Sequence, residues 1–424
     1  MAVRAARQSG PMRRRTAFAL ACALVLALAL PAGSAEEEKD ARKNFVPSEQ
    51  VGKRLLRAAE LAEQEKYGEA AALLEPLTRR ERMAPFDKAA VFQLYGTMLA
   101  ADEKYAPAIA ALETSLAVDY LPASAMQDLR YNLAQLHLVE ENFPRTIELL
   151  KAWLSHATKP TAQVHFLIAA AYAQTEKWKE ALPHARQVVA LTEKPSEQQL
   201  VLLLAVEFQN GNLPESLGVM KQLVSRYPKK RYFMQLAAGY SSTGEEDKAL
   251  AMLELADVQG WLDRDTEIVQ LAQRYLFAEL PWPAARALER GFAKGIVPRT
   301  PDNLELYANA LLTAREYQKA LAPLEEAAEH SEDGDLYVRL AQVQLETENW
   351  DAAARALKTA VARGGLDQPG NAQLLLGIVS FKQARFDAAR SAFRNALADD
   401  RTADTARKWL DHVERAERER ATQM

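Results

Sequence analysis

Residues 334–361 read GDLYVRLAQVQLETENWDAAARALKTAV, and this stretch decides the fold. In its first half, Leu336 to Thr347, the residues Tyr337, Leu340, Ala341 and Leu345 share one helical stripe. After the polar break Glu348-Asn349, Trp350, Ala353, Ala354, Leu357, Ala360 and Val361 follow at i, i+3, i+4, i+7, i+10 and i+11. An apolar stripe that returns every three or four residues marks an amphipathic helix. Two such helices around a short turn cannot bury their apolar faces alone, so the unit needs neighbours of its own kind.

The unit recurs along most of the chain. A large residue opens the second helix and a small one follows three positions later, as in Tyr67/Ala70, Tyr105/Ala108, Phe143/Thr146, Trp178/Ala181 and Leu213/Ser216. The series continues with Glu246/Ala249, Trp282/Ala285, Tyr317/Ala320, Trp350/Ala353 and Phe386/Ala389, at separations of 33 to 38 residues. Ten copies with a period near 35 make a repeat array. The copies are unequal. Leu280-Pro281-Trp282-Pro283 interrupts the seventh, where Leu271, Ala272, Tyr275, Ala284 and Leu288 keep the spacing better than a register set by Trp282. The fifth and sixth lack the aromatic landmark but keep the turn glycines Gly211 and Gly244. The first two periods are the longest, which predicts longer inter-unit loops near Met83–Pro85 and Asp119–Pro122. Pro107, Pro144, Pro214 and Pro283 fall where a first helical turn tolerates proline; Pro76 and Pro323 fall deeper and predict kinks. Thr402 to Arg420 reads as a last helix, with Ala406, Trp409, Leu410 and Val413 on its apolar side, closing the end of the array.

Ahead of the array, residues 1–35 read as a secretory signal. Five arginines (Arg4, Arg7, Arg13, Arg14, Arg15) precede the apolar run Thr16 to Leu30, Pro31 ends it, and Gly33-Ser34-Ala35 offers a cleavage site after Ala35. The run is short of the roughly 20 residues that span a bilayer, although an uncleaved anchor facing the periplasm is the alternative. Cys22, the single cysteine, lies in this leader, so the mature chain is expected to hold no disulfide, thiolate metal site or cysteine nucleophile. Removing the five arginines leaves 48 basic against 57 acidic residues, a net of −9. That balance disfavours nucleic acid and anionic lipid as partners, and membrane association would run through partners or an uncleaved leader. The expected organisation is signal peptide 1–35, linker 36–49, repeat array 50–400, and capping helix with charged tail 401–424.

The repeat resembles the tetratricopeptide repeat. The residues that carry the resemblance are Phe92, Tyr95-Gly96, Ala108 and Leu112 in one copy, and Leu376-Gly377, Ala389, Phe393 and Ala396 in another. Small residues such as Gly96 and Ala108 suit the crossing of the two helices, and Leu112 and Phe393 are expected to fill the gap to the next unit. The resemblance implies an all-α solenoid, a right-handed superhelix of about ten helix-turn-helix repeats with a C-terminal capping helix. It also implies a binding groove lined by the first helix of each unit. Carried onto this sequence, the register places Tyr131, Gln135, Phe166, Phe208, Arg231, Gln273, Asn309, Arg339, Gln342 and Phe381 on or near that groove. Asn and Gln can pair with an extended backbone and aromatics supply apolar contact; for Tyr131, Phe166 and Phe381, packing between helices is the other reading.

Chemistry is sparse. The six histidines, His137, His156, His165, His184, His330 and His412, form no His-Glu-x-x-His motif, and no glycine-rich phosphate loop is present. His137, His165 and His184 lie in adjacent units, so an enzyme or metal protein built on the third and fourth repeats is the outlying alternative. Carboxylates such as Glu325-Glu326 and Glu245-Glu246-Asp247 read as solvated helix faces. The expectation is a protein without catalytic residues, cofactor or metal.

The C-terminal third is similar to a narrower set. Leu336-Tyr337, Trp350, Arg363-Gly364-Gly365-Leu366, Gly370, Leu374-Leu375-Leu376-Gly377, Phe386, Ala389, Phe393, Trp409 and Glu414 resemble exported bacterial tetratricopeptide proteins described as components of the TonB–ExbB–ExbD system. The resemblance implies a periplasmic accessory protein that meets a protein or extended peptide segment, with TonB, ExbB or ExbD as partners. A scaffold in polysaccharide export or cell-wall assembly fits the same sequence.

Overall fold

The computed structural model describes residues 45–423. The leader, its cleavage site, Cys22 and residues 36–44 of the linker lie outside the described residues. Among the described residues there are 21 α-helices and no strand, in two compact blocks that divide between Pro228 and Lys229. Five helix pairs form the first block: α1 (Glu49–Glu63) with α2 (Tyr67–Thr78), α3 (Pro85–Ala101) with α4 (Tyr105–Val118), α5 (Ala123–Val139) with α6 (Phe143–His156), α7 (Ala162–Gln174) with α8 (Trp178–Ala190), and α9 (Glu197–Gln209) with α10 (Leu213–Arg226). Five more form the second: α11 (Lys230–Ser242) with α12 (Glu246–Val258), α13 (Asp265–Phe277) with α14 (Pro281–Ala293), α15 (Pro301–Thr313) with α16 (Tyr317–His330), α17 (Asp335–Glu346) with α18 (Trp350–Arg363), and α19 (Pro369–Lys382) with α20 (Phe386–Ala396). A last helix, α21 (Asp400–Gln423), follows.

The ten turns inside the pairs share one geometry. Two residues before each second helix stands a left-handed residue: Glu65, Glu103, Glu141, Glu176, Gly211, Gly244, Glu279, Arg315, Glu348 and Ala384, with φ from +57° to +77°. In the ninth pair the N–H of Glu348 reaches the Leu345 carbonyl at 3.0 Å and that of Asn349 reaches Gln344 at 2.8 Å. The first pair repeats this, Glu65 to Ala62 at 2.9 Å and Lys66 to Leu61 at 2.9 Å. This double closure satisfies the last carbonyls of the first helix and fixes where the chain leaves it. Only two of the ten left-handed residues are glycine, although an L-residue in that conformation costs about 1–2 kcal/mol.

The second helix opens at the landmark residue in nine pairs. In the seventh it opens at Pro281, and Ala284 and Leu288 are fully buried while Trp282 is 43% exposed. The landmark pair there is Pro281/Ala284, which corrects Trp282/Ala285. The long first periods have a different cause from the one expected near Asp119–Pro122. The connection 119–122 has four residues, and the extra length lies in α3 and α5, 17 residues each against 13 in α7. Pro76, Pro183 and Pro323 stand inside helices that continue beyond them.

Close approach within a pair rests on glycine. A Cβ on Gly96 would lie 2.6 Å from Leu112, and one on Gly377 would lie 2.5 Å from Phe393. Leu112 and Phe393 therefore cover the glycine of their own pair as well as facing the next element, Leu112 in the cleft beside Leu129 and Phe393 on Trp409. Around the ninth pair, Leu340, Ala341, Ala353 and Leu357 join Ala308 and Leu324 before them and Val379 after them in one buried cluster. Each such leucine contributes about 1.5–3 kcal/mol by leaving water, available only when the neighbouring pair is present. At the N-terminal edge, residues 45–48 of the expected linker are held: Phe45 packs on Phe86 (5.8 Å between ring centres) and Tyr120 (6.0 Å), and Ser48 donates to the buried Asp87 through its N–H (2.9 Å) and hydroxyl (2.6 Å). At the other edge, α21 lays Ala406, Val413, Trp409 and Leu410 on α20, with Trp409 stacked on Phe393 at 5.6 Å.

Two glycines separate soft from hard contacts. Gly377→Ala is expected to lower stability by about 1–3 kcal/mol, part of which Phe393→Leu in the same chain returns. Gly334→Ala admits no such relief, because its Cβ would meet the Ala360 carbonyl oxygen at 2.4 Å. Urea unfolding of the three variants checks this ordering.

Candidate functional site

Within the first block, α3 and α5 bound a cleft lined by Gln93, Leu94, Thr97, Leu112, Asp128, Leu129 and Asn132. Next to it on α5, Tyr131 is half-buried with its ring 6.4 Å from Trp153, and Gln135 hydrogen-bonds its hydroxyl. Burial pushes the Tyr131 phenol above its ordinary range. Phe166 on α7 is half-buried, whereas Phe208 on α9 is 61% exposed. Of the four residues expected here, Tyr131 and Gln135 come together and Phe208 is openly presented.

In the second block the expected residues divide by how fully the protein engages them. Gln273 on α13 and Gln342 on α17 are exposed. Arg231 lies over the Tyr232 ring at 4.5 Å and donates to its hydroxyl. Arg339 does not stand as an available cation: it donates to Glu305 and to the Asn309 side-chain oxygen, so two expected groove residues satisfy each other. Phe381 belongs to the end cluster, 5.8 Å from Phe386, 5.6 Å from Trp409 and 4.9 Å from His412. Of the two readings of Phe381, this is the packing one.

Sequence reasoning missed Asp128, Gln93 and Asn132. The signal was present in the register, since Asp128 holds in its unit the place that Arg231 holds in the sixth. It also missed that several acids are engaged by arginines of the protein itself. Glu207 is 2% exposed and accepts from Arg186 at 2.7 and 3.0 Å and from Asn212 at 2.6 Å. Glu113 accepts from Arg145 at 2.8 and 2.7 Å, and the arginine holds its carboxyl below the ordinary range. Glu246 and Glu326, read as surface acids, pair with Arg274 and Arg299, each at 2.5 Å. The ion pairs of Glu207, Glu113 and Glu246 tie one helix pair to the next, Arg299 ties the connection ahead of α15 to α16, and all use up their charges in doing so.

The histidines resolve into separate sites. His137 contacts Glu113 at 3.1 Å and does not join the other two. His165 and His184 face each other with Nδ1 atoms 2.9 Å apart, so one ring donates and the other accepts. Burial lowers the proton affinity of both; for His184 burial, then His165 and Lys151, bring the pKa down to about 4. Among the described residues no group of three or more His, Cys, Asp or Glu side chains is placed to hold a metal ion, nor is any helix long and apolar enough to cross a membrane.

Residues 338–410 match the family model of the tetratricopeptide repeat. The eight helix pairs ahead of that stretch repeat its geometry, and the fold is an all-α solenoid of the tetratricopeptide type. No curated protein matches the chain. Similar solved structures include a tetratricopeptide repeat protein from Parabacteroides merdae, 14% identical over 78% of this chain and 99% of that one, with a TM-score of 0.36. The Cut9–Hcn1 hetero-tetramer of APC/C is 15% identical over 89% and 91%, with a TM-score of 0.29. YrrB, a tetratricopeptide protein with an unusual peptide-binding site, is 20% identical over 41% and 87%, with a TM-score of 0.34.

Two predictions rest on these contacts. The unfolded chain binds protons at a histidine pKa near 6.5 and folded His184 only near 4, so stability is full above pH 6.5 and is lost as pH falls between these values. Melting temperatures at pH 7 and pH 5 are expected to differ less in His184→Gln than in the wild type. Arg339→Ala is expected to cost about 0.2–1 kcal/mol. Arg339→Glu costs more by setting two carboxylates together, and Glu305→Gln in that background recovers part of the loss on urea unfolding.

Proposed function

We propose that the chain is a periplasmic, non-enzymatic scaffold that holds an extended segment of another envelope protein along the first helices of its units. The observation that carries this reading is the cleft between α3 and α5. Gln93, Asp128 and Asn132 converge there, and the side chains of all three lack a hydrogen bond to the rest of the described protein. An extended backbone presents the N–H and C=O groups that side-chain amides pair with, and the leucines beside them take apolar contact. The repeat type supports the same reading, because tetratricopeptide repeats serve as modules that bind peptides or proteins. The basic leader, apolar run and small residues before Glu36 support export and cleavage after Ala35.

For the partner, the likeness of the C-terminal third to exported proteins of the TonB–ExbB–ExbD system supports a component of that machinery and a role in outer-membrane uptake. The test is site-specific photo-crosslinking in intact cells, with the photoreactive residue at position 93 or 208 and a control at the exposed Glu148 on α6. The expected result is a TonB-system protein recovered from 93 and 208 and not from 148, with the crosslinked chain beginning at Glu36. Recovery of no envelope protein above the control overturns the scaffold reading; another envelope protein in its place overturns the TonB assignment alone.

A further inference from the structure

We infer that the cleft between α3 and α5 receives a basic side chain, lysine or arginine, of the segment the scaffold holds; the inference rests on the binding reading above and names the chemistry of the partner. Of the seven residues lining the cleft, Asp128 alone carries a charge. The equivalent register positions on the neighbouring first helices are Ala90 and Gln163, so neither neighbour supplies a countercharge from that row. Arg130, two residues along α5, is directed to Gln127 at 3.4 Å. Other acids at the junctions between pairs are matched: Glu113 by Arg145, Glu207 by Arg186 and Glu267 by Lys230. Asp128 is exposed and has no hydrogen bond or ion pair among the described residues; the protein packed around it still raises its proton affinity above that of an ordinary aspartate.

The surroundings suit a cation on an alkyl stem better than a bare ion. Leu94, Leu112 and Leu129 offer an apolar wall along which the methylenes of lysine or arginine can lie while the charged head stays at the polar end. There the Asp128 carboxylate and the amide oxygens of Gln93 and Asn132 are acceptors for the N–H groups of an ammonium or guanidinium. An acidic side chain would meet the same carboxylate without compensation, and a neutral one would leave it desolvated and unpaired.

Fluorescence anisotropy tests this with the exported chain and three labelled twelve-residue probes, alternating Ala-Lys, Ala-Gln and Ala-Glu. The Ala-Lys probe is expected to bind about tenfold more tightly than Ala-Gln and to lose that advantage between about 0.05 and 0.5 M NaCl. Asp128→Asn removes the lysine preference and leaves Ala-Gln binding in place, and Asp128→Glu keeps part of the preference. Because the exposed Asp128 carboxylate makes no pair that stabilises the fold, Asp128→Asn melts no lower than the wild type. A lysine preference that survives Asp128→Asn overturns the inference, as does Ala-Gln binding with no lysine preference, and both leave the scaffold reading standing. Failure of all three probes, together with absent crosslinks from position 93, overturns both.

Discussion

A pair of 13-residue helices has too little buried surface to hold its own crossing angle, so the left-handed turn between them governs what the rest of the chain can do. In each of the ten pairs the same closure ends the first helix, and the second starts two residues later. The glycines follow from that geometry: with the crossing set, Gly96 under Leu112 and Gly377 under Phe393 are the positions where backbone and side chain meet. The buried cluster around Leu340 and Leu357 is assembled on surfaces that the turns have already oriented.

The electrostatics divide along the same lines. Charges at the junctions between consecutive pairs are matched, as with Arg186 on the buried Glu207 and Lys230 on the buried Glu267. A carboxylate taken out of water needs this, because removing its partner leaves an uncompensated charge. Asp128 departs from that pattern in both respects: it is exposed in its cleft and it has no partner in the described protein. Arg339 is the opposite case, a cation on the expected binding face that Glu305 and Asn309 already occupy.

Helix number, helix order and the apolar register were legible in the sequence because burial imposes a period that composition cannot hide. Tyr337, Leu340, Trp350 and Leu357 stand where their spacing puts them. The turns were not legible: glycine marks only Gly211 and Gly244, and the other eight left-handed residues are set by the closure around them. Trp282 misled because size was taken as the landmark where helix start was the constraint, and Pro281 meets that constraint with its fixed φ. Site residues were harder still. Whether an arginine is free depends on what lies one repeat away, and a single register gives its position without its partner; this separates Arg339 from Asp128.

The side-chain hydrogen bonds that join one pair to another span only 21 to 39 residues of sequence, from Arg186–Glu207 to Ser48–Asp87. The hydrogen bonds that join a pair to its successor are therefore available once that successor has been released from whatever holds the chain unfolded. Loop closure over such distances is fast, and folding can advance from the N-terminal edge without waiting for the far end. A chain threaded through a narrow translocation channel would gain its structure in increments of about one repeat, with Phe45 and Ser48 able to seal the leading edge as soon as α3 and Tyr120 have emerged.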